Sequence, residues 1–287
     1  MKSRLKNTIF ILSAIALATC VVFVPIRGFT DSARVPVLLY HNLVDSLGDD
    51  DNAMVNITPA TFRAHMRALK VAGFEAITFD DYYDYRTGDG TLPARPVVIT
   101  FDDGYISNYK DAYPILKELG LKATIFIVTG TVGATDGVSY PHFTWEQARE
   151  MQKSGVIDIQ SHSHTHSDMT TLDVGQIVRE TRLSKYLIDK NLGKDCKYFA
   201  FPFGAYNDEC AWAGAAAGYL LQCRLGVGGY NTKDTPPERL NRITVPGDLD
   251  AQSLLRVLEQ NMNLSEAAVS ADRPPDETAP DATEIPE

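Results

Sequence analysis

Apolar runs of strand length alternate with amphipathic stretches of helix length through most of this 287-residue chain, and that alternation constrains its fold more than any other feature. Val35-Pro36-Val37-Leu38-Leu39-Tyr40 reads as a buried strand, and Thr58-Pro59 opens a helix in which Phe62, Met66 and Leu69 recur at helical spacing. Ala76-Ile77-Thr78 is a second short strand, and the β-branched run Pro96-Val97-Val98-Ile99-Thr100-Phe101 is a third. A helix at 113–119 is stopped by Gly120, and the pattern continues with strands at 123–128, 156–161 and 199–201 and helices at 145–151 and 174–192. Further elements follow at 207–217, 219–223, 240–245 and 251–262. Such βα units imply a parallel sheet covered by helices, and seven or eight of them suit a barrel, with an open doubly wound sheet as the alternative. The polar residues favour the barrel. Tyr40-His41, Phe101-Asp102-Asp103, Ser161-His162 and Phe201-Pro202 all follow strand C-termini, which converge on one face of a barrel.

The ends of the chain read differently from its body. Met1-Lys2-Ser3-Arg4-Leu5-Lys6 is basic and the stretch from Asn7 to Ile26 is uncharged and mostly apolar, so residues 1–30 are expected to be a signal anchor or a cleavable signal peptide. Either version exports the domain, anchored in a membrane or secreted. Residues 265–287, rich in Pro, Ala, Asp and Glu, are expected to be a disordered acidic tail, which leaves 31–264 as a single domain. That tail holds seven acids and one arginine, so it carries −6 of the net −10 and the remainder carries only −4. No basic stripe runs through the body, which argues against nucleic acid as a partner. Cys196, Cys210 and Cys223 fit either one disulfide plus a thiol or three buried thiols, and none has the short spacing of a zinc knuckle.

The chemistry concentrates in Thr100-Phe101-Asp102-Asp103-Gly104 and His162-Ser163-His164-Thr165-His166. Two adjacent carboxylates after a buried strand allow one to bind a metal while the other, pointing elsewhere, takes a proton from water. Histidines at i and i+4 share one face if the segment makes a helical turn, a geometry suited to two imidazoles on one ion. One carboxylate with both imidazoles gives three ligands and leaves a position open. N and O donors favour Zn²⁺, with Co²⁺ or Ni²⁺ as substitutes.

These segments resemble the first two motifs of the polysaccharide deacetylases of carbohydrate esterase family four, the NodB-homology domain, and Phe201-Pro202-Phe203-Gly204 resembles a variant of the third. The resemblance covers roughly Val35 to Met262. It implies a distorted (β/α) barrel and metal-dependent removal of N-acetyl, or in some members O-acetyl, groups from an acetylated amino-sugar polysaccharide. Carried over residue by residue, it makes Asp102 the general base, Asp103, His162 and His166 the metal ligands, and the backbone N–H of Phe203 part of an oxyanion hole. Tyr105, Pro202 and Phe203 are expected to contact substrate.

Two departures from the family pattern shift roles elsewhere. The arginine that usually precedes the third-motif proline by two residues is Ala200 here, and Arg242 in Leu240-Asn241-Arg242-Ile243 is nominated in its place. The usual late histidine is absent, since no histidine follows His166. Val35 to Asn42 instead resembles the early strand of the circularly permuted branch, which includes exported poly-N-acetylglucosamine deacetylases and places the acid histidine before the aspartate pair. His41 is therefore the expected general acid. His65 is expected to be structural, and His164, at i+2, to face away from the metal. Tyr140-Pro141-His142-Phe143 is a loop that could touch sugar, whereas Trp145 and Trp212 read as core or wall. A glycan-binding relative without catalysis, and a hydrolase of other esters or peptides, remain as alternatives.

Overall fold

Val35–Tyr40 (β1) and Pro96–Phe101 (β5) are buried at every position, so neither strand offers a face to water. They sit inside a computed structural model that describes residues 33–48, 52–225 and 229–263. The targeting segment read at 1–30 and the tail read at 265–287 lie outside the described residues. The other strands are Asn42–Leu43 (β2), Asn56–Ile57 (β3), Glu75–Ala76 (β4), Ala123–Ile127 (β6), Ile157–Ser161 (β7), Tyr198–Ala200 (β8), Leu221–Cys223 (β9), Tyr230–Asn231 (β10) and Ile243–Thr244 (β11). The helices are Pro59–Val71 (α1), Phe79–Thr87 (α2), Tyr113–Leu119 (α3), Trp145–Lys153 (α4), Val174–Leu192 (α5), Asp208–Ala217 (α6) and Ala251–Asn263 (α7). No described helix is long and apolar enough to cross a membrane.

The main sheet runs β10-β1-β5-β6-β7-β8-β9, with β11 also on β1 and β4 also on β5. Among the described residues β1, β5, β6, β7, β8, β9 and β11 pair in parallel, while β10 is antiparallel to β1. This is the curled, parallel α/β arrangement expected, and its distortion lies at one seam. Leu240 bridges to Cys223 at one end of the sheet, and Ile243 and Thr244 pair with Leu38 and Leu39 at the other. Residues 240–244 therefore span the gap, and Arg242 in the middle of that span is 2 % exposed.

Alternate residues along the strands fall into two apolar clusters, as the two-residue period of a strand requires. Leu38, Tyr40, Ile99, Phe101, Ile125 and Ile159 pack with residues of the covering helices. Val37, Val98, Phe126, Tyr198, Ala200, Leu221 and Cys223 form the second cluster together with Phe79 and Tyr82 of α2. Helix α2 was not legible from periodicity, because only Phe79 and Tyr82 are buried in its nine residues. Thr78 starts it with a capping box to Asp81, and Phe79 packs with ring centroids 5.8 Å from Phe126 and 5.3 Å from Tyr198. The cysteines resolve as three buried free thiols.

Candidate active site

Each chemical group is placed by a strand end. After β5, the Asp102 N–H donates to the Tyr40 carbonyl at 3.0 Å, which extends the β1 pairing by one residue. Asp103 and Gly104 then turn left-handed, with φ of 71° and 82°, a conformation aspartate tolerates better than most residues. The turn separates the neighbouring carboxylates: Asp102 is buried at 2 % exposure, while Asp103 retains access to the cavity. At Gly104 the left-handed backbone coincides with close packing, since a Cβ there would lie 3.0 Å from Ile127 Cγ2.

His162 continues β7, its N–H donating to the Ile127 carbonyl at 2.9 Å. Its Nδ1 lies 2.7 Å from the Ala200 carbonyl, a contact that requires a proton on Nδ1 and leaves the Nε2 lone pair facing the aspartates. Burial lowers the His162 pKa, and the nearby carboxylates do not fully restore it, which favours the neutral ring that a metal would need. His162 Nε2 is 3.7 Å and His166 Nε2 3.4 Å from Asp103 Oδ1, and one ligating atom from each of the three residues lies within 4.8 Å of the others. The expected helical turn is not what joins the histidines. Ser163 and His166 have φ of 67° and 59°, so an irregular loop with two left-handed residues brings the rings to 5.0 Å. The donor set, the fixed tautomer and the exposure of Asp103 and His166 to a cavity fit a divalent metal with an open coordination position.

Arg242 reaches Asp102 from the seam. Its two terminal nitrogens donate to Asp102 Oδ1 at 2.7 Å and Oδ2 at 2.8 Å, and its guanidinium carbon lies 5.6 Å from the Phe126 ring centroid. Burial pushes the Asp102 carboxyl upward, but neighbouring charge, led by the Arg242 guanidinium, more than offsets this and holds it well below the usual carboxylate range. The third-motif position without its arginine is not idle: the Ala200 carbonyl fixes His162.

One cavity of about 220 Å³ brings together His41, Asp102, Asp103, Tyr105, His162, His166, Phe203 and Arg242. Among the described residues His41 Nδ1 has no hydrogen-bond partner, and the His41 carbonyl is held by Asn108 Nδ2 at 2.7 Å. Phe203 has φ of 60° and is 62 % exposed, with its ring 4.7 Å from that of His166. Gly204 makes this turn feasible, because at its φ of 65° a Cβ would fall 2.4 Å from the Leu225 backbone nitrogen. Pro202, expected to touch substrate, is instead buried and does not line the cavity; as the first residue of the 3₁₀ turn it helps present Phe203. Tyr105 forms a wall, with its ring 5.1 Å from His142 and 5.6 Å from Tyr140. Burial, followed by the Asp103 charge, pushes its phenol pKa up.

The remaining candidates lie outside the lining of this cavity, although His142 lines an adjoining one together with Asp103, Tyr105 and His166. His65 is buried between the Tyr40 hydroxyl, 3.2 Å from Nδ1, and the Leu249 carbonyl, 2.8 Å from Nε2. His164 Nδ1 is 2.9 Å from Thr129 Oγ1, and His142 Nδ1 is 3.1 Å from the Asp103 carbonyl. Tyr140 accepts from Asn56 Nδ2 at 2.9 Å, Trp145 packs on the core, and Trp212 is exposed rather than core. Val55 and Leu225 line the cavity although nothing in their sequence surroundings marks them. Glu180, buried beneath the His162–His166 loop, was also not singled out.

Comparison with known proteins points the same way as this geometry. Residues 89–221 match the family model described as polysaccharide deacetylase. YxkH of Bacillus subtilis strain 168, assigned by name to the polysaccharide deacetylases, is 34 % identical over 216 residues, covering 75 % of this chain and 73 % of that protein. The poly-β-1,6-N-acetyl-D-glucosamine N-deacetylase of Staphylococcus epidermidis is 28 % identical over 205 residues, 67 % of this chain and 69 % of its own. Among solved structures, the Streptococcus pyogenes deacetylase PplD in complex with acetate superposes with a TM-score of 0.72 at 26 % identity, covering 79 % of this chain and 99 % of that one. A fixed carboxylate beside a metal-suited triad, on a fold and sequence shared with these proteins, has one consistent reading: the chain belongs to the polysaccharide deacetylases, hydrolases that act on amide carbon–nitrogen bonds.

Proposed function

We propose that the protein removes N-acetyl groups from an exported poly-N-acetylglucosamine-like glycan. The observation that carries this reading is the buried Asp102, held by both arms of Arg242 beside the Asp103, His162 and His166 donors in one cavity. Those three residues would hold a divalent metal, Zn²⁺ before Co²⁺ or Ni²⁺. When bound, such an ion supplies a Lewis acid for the acetyl carbonyl and a water acidic enough to react at neutral pH.

The chain's own groups then divide the work. Asp102 accepts the proton of the attacking water, and Arg242 keeps the carboxylate oriented and ionised for that purpose. The Phe203 N–H donates to the oxygen on which negative charge develops. His41 gives a proton to the nitrogen as the carbon–nitrogen bond breaks, so that acetate and a free amine leave. This last step favours amide over ester cleavage, because an amine departs poorly without protonation whereas an alcohol needs less help. The glycan is inferred from the substrate that the S. epidermidis relative's name gives for that protein. Export is inferred from the basic and then apolar sequence at 1–30.

A binding protein without catalysis drew its support from the missing arginine at position 200. That support is lost, because Arg242 reaches Asp102 from the segment just before β11. The test is acetate release and free-amine formation from β-1,6-linked N-acetylglucosamine oligomers, with peptidoglycan and chitin oligomers in parallel. Acetate and amine in equal amounts from the β-1,6 oligomers support the proposal. Binding without release points to the non-catalytic reading, and release from the other polymers alone overturns the choice of glycan.

A further inference from the structure

The two histidines of the triad are held very differently. His162 sits within the sheet, buried at 2 %, but His166 hangs from the loop after it, with 31 % of its side chain exposed. That loop is not in a relaxed conformation. Ser163 and His166 both have positive φ, a conformation that non-glycine residues keep only when their surroundings enforce it. Something outside the loop has to hold it.

The strongest external restraint is one side chain. Glu180, on the second turn of α5 and 6 % exposed, accepts from the His164 N–H at 2.9 Å and the Thr165 N–H at 2.8 Å through Oε2, and from the Thr165 hydroxyl at 2.9 Å through Oε1. All three donors lie within the three residues between His162 and His166. The loop's other side is fixed by backbone: Thr129 N–H donates to the Ser163 carbonyl at 3.2 Å and Gly130 N–H to the His164 carbonyl at 2.8 Å. Gly130 allows this approach, since a Cβ there would lie 2.6 Å from the His164 oxygen. Inside the loop, the Ser163 hydroxyl accepts from the His166 N–H at 3.1 Å. A carboxylate that accepts from two consecutive backbone N–H groups and a hydroxyl makes strong charge-assisted bonds, and it sits opposite the backbone anchor.

We infer that Glu180 is a positioning residue that preorganises His166 for the metal, through a clamp on the His164–Thr165 peptide rather than through contact with either ligand. The inference rests on the proposed metal site. Its prediction follows from the cost of reorganising a ligand: without the clamp, binding must supply the ordering of the loop. Loss of an outer partner that orients a ligand typically weakens metal binding 10- to 100-fold. Glu180→Ala removes all three bonds. Glu180→Gln keeps one oxygen for the two N–H groups and an amide that can donate to Thr165 Oγ1, so it should be intermediate.

The experiment is Zn²⁺ affinity of the metal-stripped protein by competition with a chromophoric chelator, together with the visible absorption of the Co²⁺-loaded form. Ile188→Ala, a core truncation on the same helix, controls for general destabilisation. The clamp predicts a 10- to 100-fold weaker affinity and a changed Co²⁺ spectrum for Glu180→Ala, partial recovery in Glu180→Gln, and wild-type affinity in Ile188→Ala despite its lower melting temperature. If wild type binds Zn²⁺ and both Glu180 variants bind it equally well, the clamp is wrong and the metal site stands. Should Ile188→Ala weaken binding as much as Glu180→Ala, the role is merely structural and the inference is also overturned. If the wild-type protein binds no Zn²⁺, Co²⁺ or Ni²⁺, the metal reading itself falls and the clamp with it.

Discussion

Replacing Arg242 by methionine keeps most of the side-chain volume and removes the charge from a completely enclosed pair. Both partners are essentially buried, and both oxygens of Asp102 are engaged, at 2.7 and 2.8 Å. Breaking such a pair by deleting one member costs roughly 3–5 kcal/mol, because the remaining charge is left without a partner. In a domain of this size that corresponds to a fall in melting temperature on the order of 10 °C. The catalytic cost is separate. A misplaced or protonated general base forfeits up to about 10²–10⁴ in rate, so kcat/KM should drop at least a hundredfold in that range. The pH dependence has a definite sign. With Arg242 present, the folded-state pKa of Asp102 lies below the unfolded value of about 3.9, so the pair's stabilisation is present above that value and is lost as pH falls through the folded one. Without Arg242, burial is the largest remaining influence and raises the carboxyl. The acid limb of the kcat/KM profile should therefore move to higher pH, and the stability gap to wild type should narrow on acidification. Arg242→Lys, which keeps a charge but loses the two-armed geometry, should fall between. Acetate-release kinetics across pH and thermal melts measure both effects. A methionine variant with kcat/KM within threefold of wild type and an unshifted acid limb would refute the reasoning.

Removing a ligand from the triad, as in His166→Ala or Asp103→Ala, should abolish Zn²⁺ binding at micromolar concentration by the chelator assay; undiminished affinity would mean that the ion binds elsewhere. Gly247→Ala should destabilise the fold by about 1–3 kcal/mol in urea melts, since the added Cβ would fall 1.9 Å from the Asn56 carbonyl and force backbone to move. Burial lowers the His65 pKa, so the unfolded chain binds more protons in the window below about 6.5, and stability should fall as pH drops through it. His65→Asn should flatten that part of the wild-type stability profile, and an unchanged slope would show that other groups set it.

Much of the fold was legible because the strands carry their burial openly. Val35–Tyr40 and Pro96–Phe101 have apolar side chains on both faces, and helix stops such as Gly120 are visible as residues. Helix α2 escaped because its buried side is only Phe79 and Tyr82, both packed in the second cluster rather than forming a stripe. In the site, adjacent aspartates and paired histidines announce their chemistry by type and spacing. The spacing misled about conformation, because a helical turn and a loop with left-handed Ser163 and His166 can both converge two imidazoles. Arg242 could be nominated only by position. Its contact with Asp102 lies 140 residues away in sequence and depends on the seam through Leu240 and Ile243, which no local pattern encodes. Glu180 looks like an ordinary helix glutamate until the loop packs onto it.

The central claim is that Asp102 acts on the proton while Asp103 serves the metal. Asp102→Asn tests it most directly, with acetate release and Zn²⁺ affinity measured on the same preparation. The account predicts that turnover of β-1,6-linked N-acetylglucosamine oligomers falls by about 10²–10⁴ while Zn²⁺ affinity stays within a few fold of wild type. Retained turnover, or loss of the metal together with activity, would contradict the division of labour between the two carboxylates.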